Sequence, residues 1–169
     1  MKELSNIIFT SLFFLLIFSC KTTKDLDRDM YAWRYQVEVV NTGTQGSYQI
    51  KVWTYAKQVS NAEAQTPKNA VHAVLFKGFE SKGKVKGQKP LINDPNGYEK
   101  HKTFFDIFFR DGGEYAKYVT MVGTGEIGAG DLIKVGDEYK VGFITSVSVG
   151  ELRKYLENEN IIKKLDDGF

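Results

Sequence analysis

Apolar and polar positions begin to alternate at residue 33. Trp33, Tyr35, Val37 and Val39 are interleaved with Arg34, Gln36 and Glu38, the period-two pattern of a strand with one buried face. Asn41 to Gly46 supply turn residues. Tyr48 to Tyr55 then alternate again, with Tyr48, Ile50 and Val52 on one side and Trp53 and Tyr55 on the other, so the pair predicts an antiparallel hairpin. From Ser60 the period changes. Val71, Val74 and Leu75 fall at helical spacing in an alanine-rich run that ends at Lys77-Gly78. Pro67 lies inside this run, and the main helix is expected to begin there with Thr66 as its cap, a bend between two helical turns being the alternative. Residues 79–95 show neither period and predict a long functional or mobile loop.

A second helix is expected from about Tyr98 to Arg110. Its Phe104, Phe105, Phe108 and Phe109 are too many aromatics for a surface element, and Asp111-Gly112-Gly113 ends it. Glu114–Val122, Leu132–Val135 and Tyr139–Val149 carry strand-like runs, and a final helix with Leu152, Tyr155 and Leu156 on one face runs to about Asn160. The order β-β-α-α-β-β-β-α predicts an α+β two-layer sandwich, a mostly antiparallel sheet with helices packed on one face.

The N-terminal pattern differs in kind. Ile7 to Phe18 is apolar except for Thr10 and Ser11, follows Lys2, and falls short of the roughly 20 residues that span a bilayer core. It reads as an export signal. Leu16-Ile17-Phe18-Ser19-Cys20 resembles the bacterial lipobox, with Ile17 and Ser19 at the aliphatic and small positions and a bulkier Phe18 between them. That resemblance implies cleavage before Cys20, diacylglycerol on its thiol and an acyl chain on its new amino group, an essentially permanent anchor. The expected organisation is a signal at 1–19, a polar, charged tether at 20–30 and one domain at 31–169. Terminal Phe169 does not indicate an outer-membrane barrel, since Ile161 to Gly168 do not alternate.

Composition narrows the function classes. The net charge of +2 favours no polyanion or acidic substrate. Cys20 is the only cysteine, so the body has no disulfide framework and no thiolate ligand. With 12 Phe and 9 Tyr the body is expected to fold rather than act as a linker.

Four features compete for a chemical role. Gly123-Thr124-Gly125-Glu126-Ile127-Gly128 has the dinucleotide-binding spacing, but a strand rather than a helix is expected after it, so it reads as a turn and no cofactor is expected. His72 and His101, the only histidines, have no ligand-like spacing to each other, and no metal site is expected. No nucleophile elbow or base–nucleophile arrangement appears, so no catalytic residue is assigned. Lys77 to Lys102 is different, with seven lysines against Glu80, Asp94 and Glu99. Lys82, Lys84, Lys86, Gln88 and Lys89 form its candidate binding loop, suited to an anionic polymer, lipid headgroups, lipopolysaccharide or an acidic protein. Solvation of a glycine-rich loop is the simpler account. Nucleic acid is not an expected partner, because no aromatic-basic interleaving marks the loop.

On the hairpin from Trp33 to Tyr55, the stretch Asn69 to Gly78 and Gly87-Gln88-Lys89-Pro90-Leu91, most of the chain resembles uncharacterised small lipoproteins of the Bacteroidota. The hairpin followed by an alanine-rich helix is also similar to small envelope lipoprotein domains that assist larger machines. These resemblances imply a lipid-anchored, non-enzymatic binding or accessory protein with an envelope protein partner, at the outer membrane on either face. Binding of a small ligand or envelope polysaccharide by the 79–96 loop is the alternative, and hydrolysis of an envelope polymer a third.

Overall fold

The alternating segments pair as antiparallel strands in the computed structural model, which describes residues 33–44, 46–123 and 127–164. β1 (Tyr35–Thr42) lies against β2 (Ser47–Ala56), with Tyr35 opposite Thr54, Val37 opposite Val52 and Val39 opposite Ile50. A bulge between Val39 and Asn41 shifts the register before the turn. β2 pairs along its whole length with β5 (Glu138–Ser148). The other edge of β5 is shared by β3 (Val119–Met121), opposite Thr145–Val147, and β4 (Leu132–Val135), opposite Glu138–Val141. Every one of these pairings is antiparallel, and the fold is α+β with its helices on one face of the sheet.

Helices α1 (Val59–His72), α2 (Gly97–Lys100), α3 (Lys102–Phe108) and α4 (Val149–Asn158) complete the framework. α1 presents Ala62, Thr66, Asn69, Ala70 and Ala73 at spacings of three and four to β2 and β5, whose Ile50, Val52, Val141 and Val147 are fully buried. A polar seam runs through this contact. Asn69 Nδ2 donates to Thr54 Oγ1 (3.1 Å), and Thr54 and Thr66 share a hydrogen bond of 3.0 Å. Beyond α1 the core is aromatic. Phe105 and Phe108 are buried, and Phe108 stacks on Tyr155 of α4 with ring centroids 5.9 Å apart. Arg34–Phe169 forms one compact unit by its internal contacts.

Four expectations need correction. α1 begins at Val59 and runs through Pro67 instead of starting there. The hydrogen bond that proline removes belongs to the carbonyl of Glu63, an exposed residue, while the buried face holds the helix on the sheet. The expected second helix is broken at His101 into α2 and α3. Glu114–Tyr118 is a 3₁₀ turn packed on aromatic neighbours, leaving only Val119–Met121 as strand.

The segment 79–96 is ordered rather than structureless. α1 passes into a π turn, Ala73–Lys77, closed by a Gly78 N–H to Ala73 carbonyl bond of 2.7 Å. Phe79 and Gln88 then exchange both backbone hydrogen bonds, as do Lys82 and Val85. This makes a small hairpin with a two-residue turn, Gly83-Lys84. Gly83 has φ +60° and Lys84 a negative φ, the combination of a type II′ turn. Leu91 and Ile92 are buried, and their N–H groups donate to the carbonyls of Val74 and Leu75, so the chain returns to satisfy acceptors of the π turn.

The export signal at 1–19, Cys20, the tether at 20–30 and Phe169 lie outside the described residues. Among the described residues no helix is long and apolar enough to cross a membrane.

Candidate functional site

Strand alternation that buries Ile50, Val52 and Thr54 under the helices sends Lys51, Trp53 and Tyr55 to the opposite face of the sheet. Cross-strand register assembles their neighbours. Gln36, Trp53 and Gly142 form one row, and Tyr55 and Lys140, with Ile133 beyond them, form the next. On the other side of Trp53, Glu38, Lys51 and Ile144 make a third row, extended by Val122, whose N–H donates to the Ile144 carbonyl (2.8 Å). Among the described residues no helix packs on this face.

Trp53 is held in place on it. The indole Nε1 donates to Glu38 Oε1 (2.7 Å), and the six-membered ring lies over Gly142, where an added Cβ would sit 3.0 Å from two ring carbons. Glycine is therefore what lets the ring lie on the strand. The ammonium groups of Lys51 and Lys140 stand 5.1 and 4.9 Å from the ring centroid, and the Arg34 guanidinium stands 5.7 Å from that of Tyr55.

Two of these cations are tied to acids, and Lys140 donates to Gln36 Oε1 (2.7 Å). Arg34 makes a two-pronged bond to Glu138 at 2.8 Å, and Lys51 reaches Asp131 at 2.6 Å. The Lys82 and Trp53 hydrogen bonds hold the Glu38 carboxyl below the usual carboxylate range, and Arg34 does the same for Glu138. Along the far edge Val122, Ile133 and Val135 are 40%, 43% and 46% exposed, an apolar margin to the aromatic and charged centre. The arrangement offers flat aromatic area, fixed charges of both signs and an apolar rim, which is chemistry for binding.

His72 lies on the other side of the sheet. Its Nδ1 shares a 2.6 Å hydrogen bond with the Tyr35 hydroxyl, its ring packs on Phe76, and it is buried. Burial, reinforced by the nearby Lys77 charge, pushes its pKa down to about 3, so the ring is neutral at physiological pH. Burial likewise raises the Tyr35 phenol above its ordinary value. Lys77 stands 3.8 Å from the Tyr35 ring centroid, and partial desolvation lowers its pKa. His72 and Tyr35 are thus packed inside, with the exposed Lys77 over the Tyr35 ring. His101 sits at the break between α2 and α3. Among the described residues no three His, Cys, Asp or Glu side chains converge as a metal would need.

The predicted binding loop is brought together only in part. Lys82, Lys84 and Lys86 are exposed on the hairpin, and Lys82 reaches Glu38 at 2.6 Å, which joins the hairpin to the open sheet face. Gln88 is turned along its own strand, donating from Nε2 to the Lys89 carbonyl (2.7 Å). Of the glycine-rich sequence at 123–128, residues 124–126 lie outside the described set; Gly128 accepts from Asp131 N–H in a turn that leads straight into β4. The sequence reading did not select Trp53, Tyr55, Lys51 or Lys140 as site residues. The available signal was two large aromatics on the polar side of an alternating strand.

No family model matches the chain, and no curated protein or solved structure shows significant similarity to it.

Proposed function

We propose that this protein is a lipid-anchored, non-enzymatic envelope protein that acts as an accessory or assembly factor by docking a protein partner on the open face of its sheet. One observation carries the reading: the face left bare by the helices holds Trp53 locked flat over Gly142, with Tyr55 and Arg34 beside it. Tryptophan, tyrosine and arginine are the residue types that dominate interface hot spots, because each brings large contact area at small entropic cost. The acids Glu38, Asp131 and Glu138 pre-orient the surrounding cations, which reduces the ordering a partner would have to impose. The lipid on Cys20 supplies the envelope address, at the outer membrane, and confines the search for a partner to the membrane surface.

Crosslinking of the full-length lipidated chain in native cells, followed by purification, tests this. A stoichiometric protein partner is expected, lost from a Trp53→Ala/Tyr55→Ala variant and retained by Glu63→Ala on the helix side. Retention by the double variant contradicts the docking face, and degradation of peptidoglycan by purified protein contradicts the non-enzymatic reading.

A further inference from the structure

The docking face leaves the basic hairpin at residues 79–88 without a task beyond its contact with Glu38. We propose that this hairpin takes the phosphates of anionic lipid headgroups and so sets how the anchored domain lies on its membrane.

Rigidity is the first support. The two backbone-bonded pairs, Phe79 with Gln88 and Lys82 with Val85, fix the ladder, and the type II′ turn at Gly83-Lys84 fixes its tip. Its base is clamped to the domain: Phe79 is buried and stacks edge-on against Tyr48 of β2, ring centroids 5.3 Å apart. At Gly87 an added Cβ would sit 2.4 Å from the Phe79 carbonyl oxygen, so the two arms are as close as backbone allows. Lys82, Lys84 and Lys86 are all exposed on this arm.

Charge is the second. Lys82, Lys84, Lys86 and Lys89 face only Glu80 within the segment, and among the described residues Lys84, Lys86 and Lys89 have no ion-pair partner. Lys51 and Lys117, by contrast, are matched, to Asp131 and Glu114. Compact ammonium groups left unmatched on a fixed arm suit phosphate oxygens.

Position is the third. β1 begins at Tyr35, and Lys82 is held by Glu38 of that same edge strand, about 10 Å further along. The strand that follows the N-terminal segment and the basic hairpin thus meet at one edge of the sheet. The thirteen residues between Cys20 and Arg34 let those two positions lie at most about 50 Å apart, so the hairpin stays within reach of the bilayer.

This inference rests on the lipid anchor of the proposed function, and the test separates the two. Lipidated full-length protein is reconstituted into phosphatidylcholine vesicles and into the same vesicles doped with phosphatidylglycerol, and lysine acetylation rates are read by mass spectrometry. Flotation with the neutral vesicles reports the anchor alone. On anionic vesicles Lys84, Lys86 and Lys89 are expected to lose reactivity by about fivefold each and to recover it at high salt, with Lys117 and Lys154 unchanged. Protein that floats but shows equal rates on both vesicles overturns the hairpin contact and leaves the anchor standing. Protection by inorganic phosphate on neutral vesicles also overturns it, since the site would then take the free ion.

Discussion

Acidification from pH 6.5 to pH 5 should destabilise this domain through one side chain, His72. In the folded protein its ring is buried against Tyr35 and Phe76 and its pKa lies at about 3, whereas in an unfolded chain it titrates near 6.5. Below pH 6.5 the unfolded chain therefore binds a proton that the folded chain refuses, so stability falls as pH falls. The loss starts at about pH 6.5, proceeds at about 1.4 kcal/mol per pH unit and stops growing near pH 3. Down to pH 5 it amounts to about 2 kcal/mol, a sizeable share of the roughly 5–15 kcal/mol that hold a domain. Glu38, Glu138 and Asp94, whose pKa values are lowered, add losses of the same sign only at more acid pH, which leaves this window to the histidine. Urea unfolding followed by tryptophan fluorescence at pH 7, 6 and 5 measures the slope. His72→Gln keeps a hydrogen-bond acceptor for the Tyr35 hydroxyl but cannot titrate. It should be less stable at pH 7 by about 1–3 kcal/mol from lost ring packing, yet nearly flat between pH 6.5 and 5. Equal slopes in the two proteins would refute the reasoning.

Other substitutions test other parts of the framework. Phe105→Ala removes a fully buried ring from the centre of the aromatic cluster and should cost about 3–5 kcal/mol in urea unfolding. Gly78→Ala sets a side chain at φ +68° and 2.4 Å from the Gln88 carbonyl oxygen, so it should destabilise by more than about 1 kcal/mol and raise hydrogen exchange in the 79–88 hairpin. Pro67→Ala restores a backbone donor inside α1, and after the offsetting gain in unfolded-chain entropy it should raise Tm by a few degrees. Gly142→Val should lift the indole of Trp53 off the sheet, breaking its bond to Glu38 and shifting its fluorescence maximum while the far-UV circular dichroism stays unchanged.

The hairpin of β1 and β2 was legible because a half-buried strand must alternate, and every residue from Tyr35 to Val39 obeys the period. The α+β class followed from element order alone. What misled lay where local signals conflict with packing. Pro67 reads as a helix start, but the alanine and asparagine face of α1 is committed to the sheet on both sides of it, and tertiary burial overrides the local break. At 79–88 serine, glycine, lysine and glutamine leave no apolar period to reveal a ladder that backbone bonds define. Glu114 to Tyr118 has strand-like composition, yet its tyrosines are aromatic packing residues at helical spacing, Tyr115 against Phe109 and Tyr118 against Phe108. The docking face was half legible: alternation placed Trp53 and Tyr55 on the polar side, but only register brings Gly142, Lys140 and Gln36 to them, and register is a property of three strands at once.

Site-specific photocrosslinking in living cells addresses the docking face most directly. A photoreactive amino acid at Gln49, which points outward from β2 beside Lys51 and Trp53, is set against the same probe at Glu63 on the exposed side of α1. The open face should yield one discrete adduct of constant mass and the helix side none; adducts from residue 63 alone, or from neither position, would contradict it.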